Sequence, residues 1–304
     1  MQVADYISQF LAEFGVRHVF ILTGGGAMFL NHVIGTNPNI KTIFNQHEQA
    51  YAMAAEGYAR ISGKPGVINV TTGPGGINAL NGMFGAWTDS IPMLVISGQV
   101  KRETYLRSYD LPDLRQLGDQ EADIISMARG ITKYAVTVND SLEIRFHLEK
   151  AWYLATSGRP GPCWWDVPID VQSSQVDETV LKGFVPLEEL SGTKEILRQC
   201  VATTLEKLKQ ANLPVILAGT GIRLAGAMDL FIEVIHKLGL PVTTAWTHDL
   251  IASDDPLFCG RPGTIGTRPG NFTVQNSDVL LILGSLLTIL QIGYAWNSYY
   301  FTDS

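Results

Sequence analysis

Cysteine is scarce: Cys163, Cys200 and Cys259 are three among 304 residues, widely spaced and in no metal-ligand pattern. They read as buried thiols of a reducing cytoplasm, where disulfides are rare. Long apolar runs are missing too, and none approaches the roughly 18 residues that cross a bilayer. The opening Met1-Gln-Val-Ala-Asp5 has neither the basic nor the apolar region of a signal peptide. Positive charge is short, the formal net charge being −7, which argues against non-specific nucleic-acid binding. The absences leave a cytoplasmic protein with neither nucleic acid nor membrane as partner.

Glycine is what the chain has in quantity, 30 residues clustered in short runs between apolar strands. A hydrophobic content of 46% against 17% charged residues suits a well-buried globular protein, and the length suits two domains. Residues 3–14 carry apolar positions at helical spacing up to Gly15. His18–Leu22 reads as a buried strand, followed by Gly24-Gly-Gly26 and a second helix. That strand, glycine turn and helix make the unit of a parallel sheet. It repeats at Thr42–Phe44 with the helix from Glu48, at Gly66–Val70 with Thr71-Thr-Gly-Pro-Gly-Gly76 and a helix from Asn78 to about Trp87, and at Pro92–Ser97 with Gly98-Gln99. In such sheets ligands bind beyond the carboxyl ends of the strands, where these turns gather.

Further strands are expected at Ile131–Val136 and Cys163–Val167, with a helix at Leu142–Thr156 between them. Periodicity fades over 171–193 and marks a linker. A second α/β unit then opens with a helix at Lys194–Gln210 and a strand at Pro214–Ala218 before Gly219-Thr-Gly221. A helix at Ala225–Leu238 and strands at Pro241–Ala245 and Asp278–Leu283 follow, then an aromatic-rich tail from Tyr294 to Phe301. The expected division is 1–172, a linker over 173–193, and 194–304.

Chemistry concentrates at Phe44–Arg60. Glu48 heads a helix whose Ala52, Ala54, Ala55, Gly57 and Ala59 have little bulk, so something must pack very close to it. A helix start holds a negative charge comfortably. Read locally, Glu48 is either a dipole-stabilised helix acid or a proton-handling group, and His47 either a proton shuttle or a packed helix-start histidine.

Five motifs, Asn45-Gln-His-Glu-Gln49, Ala54-Ala-Glu-Gly-Tyr-Ala-Arg60, Thr72-Gly-Pro-Gly75 with Asn78, Asp89-Ser-Ile-Pro92 and Gly158-Arg-Pro-Gly-Pro162, resemble the acetolactate synthase family of thiamine-diphosphate-dependent enzymes. The resemblance is dense over residues 1 to about 172 and looser over 190–285. It implies two doubly wound parallel-sheet α/β domains, a pyrimidine-binding domain followed by an incomplete Rossmann-like central domain. It implies that Glu48 bonds a ring nitrogen of the cofactor's aminopyrimidine and promotes ylid formation, a role suited to a carboxyl group in a dry pocket. Gly24 and Gly25 match the loop facing the thiazolium, and Thr72, Gly73, Pro74, Gly75 and Asn78 the loop against the pyrimidine, where glycine allows a flat ring close to the backbone. Gln99 and Gln120 match polar positions near the substrate. One departure stands beside them: family members commonly read Phe-Gln-Glu where this chain reads Asp119-Gln-Glu121, which opens room for a larger, polar acceptor.

The resemblance further implies a 2-oxo acid substrate, a carboligation acceptor, and a homodimer or higher assembly with shared sites. In the central domain the family binds FAD in some members and nothing in others. Gly219, Gly221, Arg223, Thr244, Gly263 and Gly266 suit a dinucleotide, whereas Leu286 and Leu290 stand where relatives tend to carry arginines, and both outcomes stay open. The Gly-Asp-Gly motif that holds Mg²⁺ and the diphosphate in the family is absent. Those groups are therefore expected from a missing domain or a separate diphosphate-binding chain, this chain being the N-terminal part of a longer enzyme. The rival expectation is a non-catalytic cofactor-domain remnant used for oligomerisation or ligand sensing.

Overall fold

A computed structural model describes residues 1–186, 194–246 and 249–293, which fall into two units divided between Glu188 and Glu189. The aromatic tail from Tyr294 and the end of the expected linker lie outside the described residues. The first unit is a six-stranded parallel sheet in the order β2-β1-β3-β4-β6-β5. Its strands are β1 (His18–Ile21), β2 (Lys41–Phe44), β3 (Gly66–Val70), β4 (Met93–Gln99), β5 (Tyr134–Thr137) and β6 (Pro162–Pro168). Every residue of β3, β4 and β6 is buried, which is why they read as continuous apolar runs rather than alternating ones. The outer strands β2 and β5 stay partly open, and Phe44 is exposed.

Helices α1 (Val3–Glu13), α2 (Met28–Thr36), α3 (Glu48–Ser62), α4 (Pro74–Thr88), α5 (Ile124–Ala128), α6 (Ile144–Thr156) and α7 (Ile169–Gln172) belong to this unit. Trp165 lies in the core with Phe10 and Leu148, its Nε1 donating to the His147 carbonyl at 3.0 Å. Trp164 is equally buried, and its Nε1 donates to Ser97 Oγ at 2.8 Å, so neither indole leaves a buried donor unmet. The bulk-poor α3 packs against α4 and β3. A β-carbon on Gly82 of α4 would stand 2.5 Å from the Gln49 carbonyl oxygen and 2.6 Å from Ala52 Cβ.

Several boundaries differ from the sequence reading. Helix α4 starts at Pro74 rather than Asn78, because proline fits the first turn, where no backbone N–H is needed. β5 begins at Tyr134, later than expected, the residues before it forming a short 3₁₀ turn. The segment after Gln172 is not a free linker at first: Gln175 bridges Gln2, and Val176 and Leu181 are buried in the core.

The second unit is a three-stranded parallel sheet, β8-β7-β9, built from β7 (Pro214–Ala218), β8 (Val242–Thr244) and β9 (Val279–Leu283). Its helices are α8 (Lys194–Gln210), α9 (Gly221–Leu224), α10 (Met228–Leu238), α11 (Arg268–Gln275) and α12 (Ile289–Ile292). The helix expected over Ala225–Leu238 begins at Met228, after Gly226 at φ +65°, a conformation glycine adopts freely, and the four-residue α9 precedes it. Helix α11 was not foreseen; Thr267 caps it by accepting from the Gly270 N–H at 3.2 Å. Of the thiols, Cys163 is buried, Cys259 half-buried and Cys200 exposed on α8, none of whose residues is buried, so only the first fits the expected burial.

Candidate cofactor site

The turns after β1, β2, β3 and β4 meet at the carboxyl end of the first sheet. Three of them pack with no room for side chains. A β-carbon on Gly24 would collide with the Thr71 side chain, one on Gly26 with Thr72, and one on Gly98 with the Gly26 backbone. Gly25 instead borders open space. Thr72 is held in turn by donating its hydroxyl to the Gly98 carbonyl at 3.0 Å.

Glu48 opens α3, where the unpaired backbone N–H groups favour a carboxylate. His47 is the N-cap of α3: it is exposed, and its Nδ1 accepts from the Gln49 N–H at 3.2 Å. The Glu48 residue is 7% exposed. Its Oε2 accepts from Asn78 Nδ2 of α4 at 3.0 Å. Its Oε1 takes no hydrogen bond among the described residues and lies 3.3 Å from where a β-carbon on Gly75 would stand. Close by, Tyr51 donates its hydroxyl to the Asn69 carbonyl at 3.1 Å. Burial, and then the Glu48 charge, push that hydroxyl well above the usual phenol range, so it stays protonated.

Of the expected residues, Glu48, Thr72, Gly73, Pro74, Gly75 and Asn78 come together around the heads of α3 and α4. Gly25 and Gln99 line a neighbouring cavity of about 450 Å³ with Lys101, Leu117 and Asp119. Gln99, however, is 1% exposed and its amide is fully engaged inward. Nε2 donates to Asp166 and to the Ala122 carbonyl, and Oε1 accepts from the Val100 N–H. Gln120 is exposed, in left-handed backbone at φ +57°, and its carbonyl oxygen occupies the space a β-carbon on Gly73 would need. Arg102 is tied to Asp170 at 2.7 Å, and Lys101 faces Glu103 at 3.6 Å with both ends in solvent.

Beneath the turns runs a set of buried polar side chains that the residue-by-residue reading passed over. Asn31 Nδ2 donates to the Gly24 carbonyl, and Asn69 Nδ2 donates to Asn31 Oδ1 at 2.8 Å. Gln172 Nε2 donates to the Gly26 and Val167 carbonyls, both at 2.8 Å. Asp166 joins β4 to β6 by accepting from Ser97 Oγ at 2.6 Å. Their signal was a polar residue inside an otherwise apolar strand, as at Asn69, Ser97 and Asp166.

In the second unit the candidate FAD residues are otherwise engaged. Gly219 and Gly221 leave no space before Gly284 and Ser285, the nearest approach at Gly221 being 2.7 Å. Gly263 abuts the Leu290 carbonyl and Gly266 lies 2.6 Å from that of Arg261. Arg223 Nε sits 2.8 Å from the Asp249 carboxylate, Thr244 is 1% exposed, and the helix after Gly221 has four residues. These glycines pack closely against neighbouring backbone and side chains. No group of three His, Cys, Asp or Glu side chains able to hold a metal ion occurs among the described residues.

Residues 1–127 match the family model described as thiamine pyrophosphate enzyme, N-terminal TPP binding domain, and residues 201–302 match that enzyme's central domain. Among curated proteins, the chain is 32% identical over 283 residues to the acetolactate synthase large subunit of Haemophilus influenzae, covering 92% of this chain and 48% of that protein. It is 33% identical to the large subunit of Lactococcus lactis, covering 93% and 48%. It is 35% identical over 291 residues to acetolactate synthase 1, chloroplastic, of Zea mays, covering 92% and 43%. The chain thus spans less than half the length of these relatives. With two successive domain models matched in order and an acidic helix head set against a glycine turn, the chain belongs to the thiamine pyrophosphate enzyme family.

Proposed function

We propose that this chain supplies the pyrimidine-binding half of an acetolactate-synthase-like enzyme that decarboxylates a 2-oxo acid such as pyruvate and passes the two-carbon unit to an acceptor. One observation carries the reading: Glu48 is buried at a helix head with Oε2 fixed by Asn78 and Oε1 without a partner. A carboxyl oxygen placed this way can hold or return a proton at a heterocyclic nitrogen. Gly75 keeps a side chain away from it, since a β-carbon there would stand 3.3 Å from Oε1, and glycine lets a flat ring approach the backbone. Thiamine diphosphate, when bound, supplies the electron sink for the carbanion left by decarboxylation. Asn78 keeps the Glu48 carboxyl group from turning and leaves Oε1 open to a ligand.

In this proposal Mg²⁺ and the diphosphate are held by a further domain or a separate chain. A homodimer is part of the proposal, and Met53 on α3 with Phe84 and Trp87 on α4, all exposed apolar side chains, support it. A cytoplasmic setting is proposed on the three unpaired thiols. No flavin step enters the reading.

The complete protein, given pyruvate, thiamine diphosphate and Mg²⁺, is expected to release carbon dioxide and form an acyloin-type product. No carbon dioxide from pyruvate or from larger 2-oxo acids, with folded and cofactor-saturated protein, removes the proposal.

A further inference from the structure

Asp166 is the one acidic residue of β6, and it is wholly buried. Three donors from two other strands point at it. Ser97 Oγ of β4 lies 2.6 Å from Oδ1, while Gln99 Nε2 of β4 and Thr137 Oγ1 of β5 lie 3.1 and 3.4 Å from Oδ2. Ser97 is itself oriented by Trp164 Nε1, which leaves its proton directed at the carboxylate. A buried carboxylate of this kind is stable only while such donors surround it.

The contacts do not stop at the sheet. The Gln99 nitrogen that reaches Asp166 gives its second hydrogen to the Ala122 carbonyl at 3.0 Å, and the Gln99 oxygen accepts from the Val100 N–H at 3.0 Å. Those bonds fix which way round the amide stands. Turning it over would set its NH₂ against the Val100 N–H and leave the Ala122 carbonyl without a donor. Ala122 closes the 117–122 turn, whose Glu121 carboxylate gathers the N–H groups of Leu106, Leu117 and Gly118 at 2.9, 3.0 and 3.2 Å. The turn is therefore rigid within itself, and the Ala122 carbonyl ties it to the sheet. Its Gln120 carbonyl rests on Gly73, two residues before Gly75, which borders Glu48.

We propose that Asp166 is a positioning residue: by fixing the Gln99 amide it holds the 117–122 turn against Gly73, and so sets the wall between the Glu48 site and the cavity bearing Asp119. The consequence for catalysis rests on the cofactor-site reading above, but the link itself does not, and it can be tested without cofactor. Burial raises the Asp166 carboxyl to about 7 despite the bonds from Ser97, Gln99 and Thr137, with the Asp123 charge adding to the rise. Tyr105 is the other titratable neighbour, its hydroxyl raised first by burial and next by Asp166.

Backbone hydrogen exchange in the complete protein, comparing wild type, D166A, Q99M and the double variant, tests the link. D166A is expected to speed exchange at Gly118 and Glu121 about tenfold, the scale of one lost bond to a charged group, with β3 and α3 unaffected. Q99M should do the same, and the double variant should be no faster than either. A folded D166A with normal protection in the turn overturns the proposal. So does acceleration spread equally over β3 and α3, or a double variant whose effects multiply. Should D166A not fold, the wild-type Gln99 side-chain amide is read by NMR. Slow exchange is expected of hydrogens held between a carboxylate and a carbonyl, and exchange at the rate of a free glutamine refutes the link.

Discussion

Asn78 and Glu48 meet between the heads of α4 and α3, Nδ2 donating to Oε2 at 3.0 Å, and leave the other carboxyl oxygen unbonded among the described residues. The asymmetry makes the helix-head acid directional, one oxygen held and one free, and the proposed proton-handling role rests on it. A purely structural acid would be expected to have both oxygens engaged, as Glu121 does with three backbone N–H groups.

Glu48→Gln keeps the bond to Asn78 in reach and removes the acid. In the complete enzyme with bound thiamine diphosphate, exchange of the thiazolium C2 proton is expected to fall by about 10²-fold or more, the usual scale of a lost proton-transfer group. Proton NMR of the quenched cofactor measures it, and an unchanged rate rules out the role.

Gly82→Ala forces α4 away from α3, since the added carbon would meet the Gln49 carbonyl at 2.5 Å, and that atom is backbone. A loss of about 1–3 kcal/mol is expected from overpacking. Urea unfolding measures it, and a stability equal to wild type shows that the two helices have slack.

Asp166 predicts a pH dependence. Its folded carboxyl keeps a proton up to about 7, whereas the ordinary value is 3.8. Between these values the folded state binds the extra proton, so the stability this group contributes is full below 3.8 and is lost as pH rises through about 7. Wild type should therefore lose stability relative to D166N between about pH 4 and about pH 7 in paired denaturant titrations. A constant difference across that window contradicts the raised value.

Phe84→Asp places a charge in the exposed apolar set of α3 and α4. If that face joins two copies, sedimentation velocity should show wild-type dimers and variant monomers. Dimers that persist unchanged in the variant move the interface elsewhere.

Much of this was legible in advance for a common reason. Buried parallel strands such as Gly66–Val70 are continuous apolar runs, and the turn glycines between strand and helix are local signals. The α4 start differs because the glycine-rich Thr71–Gly76 reads as turn, whereas Pro74 is a good first-turn residue and Gly75 and Gly76 are already helical. Cys200 was expected to be buried on composition alone, and composition carries no information about which face of α8 is covered.

By itself the sequence determined the α/β architecture of each unit and the identity of Glu48, since hydrophobic period, glycine turns and helix-start chemistry act over a few neighbouring residues. Tertiary structure alone decided that Asn78 holds Oε2 and leaves Oε1 unbonded, and that Gln99 serves Asp166 and Ala122 rather than presenting its amide to the cavity. It also decided that the central glycines close on backbone. The first two depend on contacts between residues 23 to 67 positions apart, where only the packed chain fixes direction and distance.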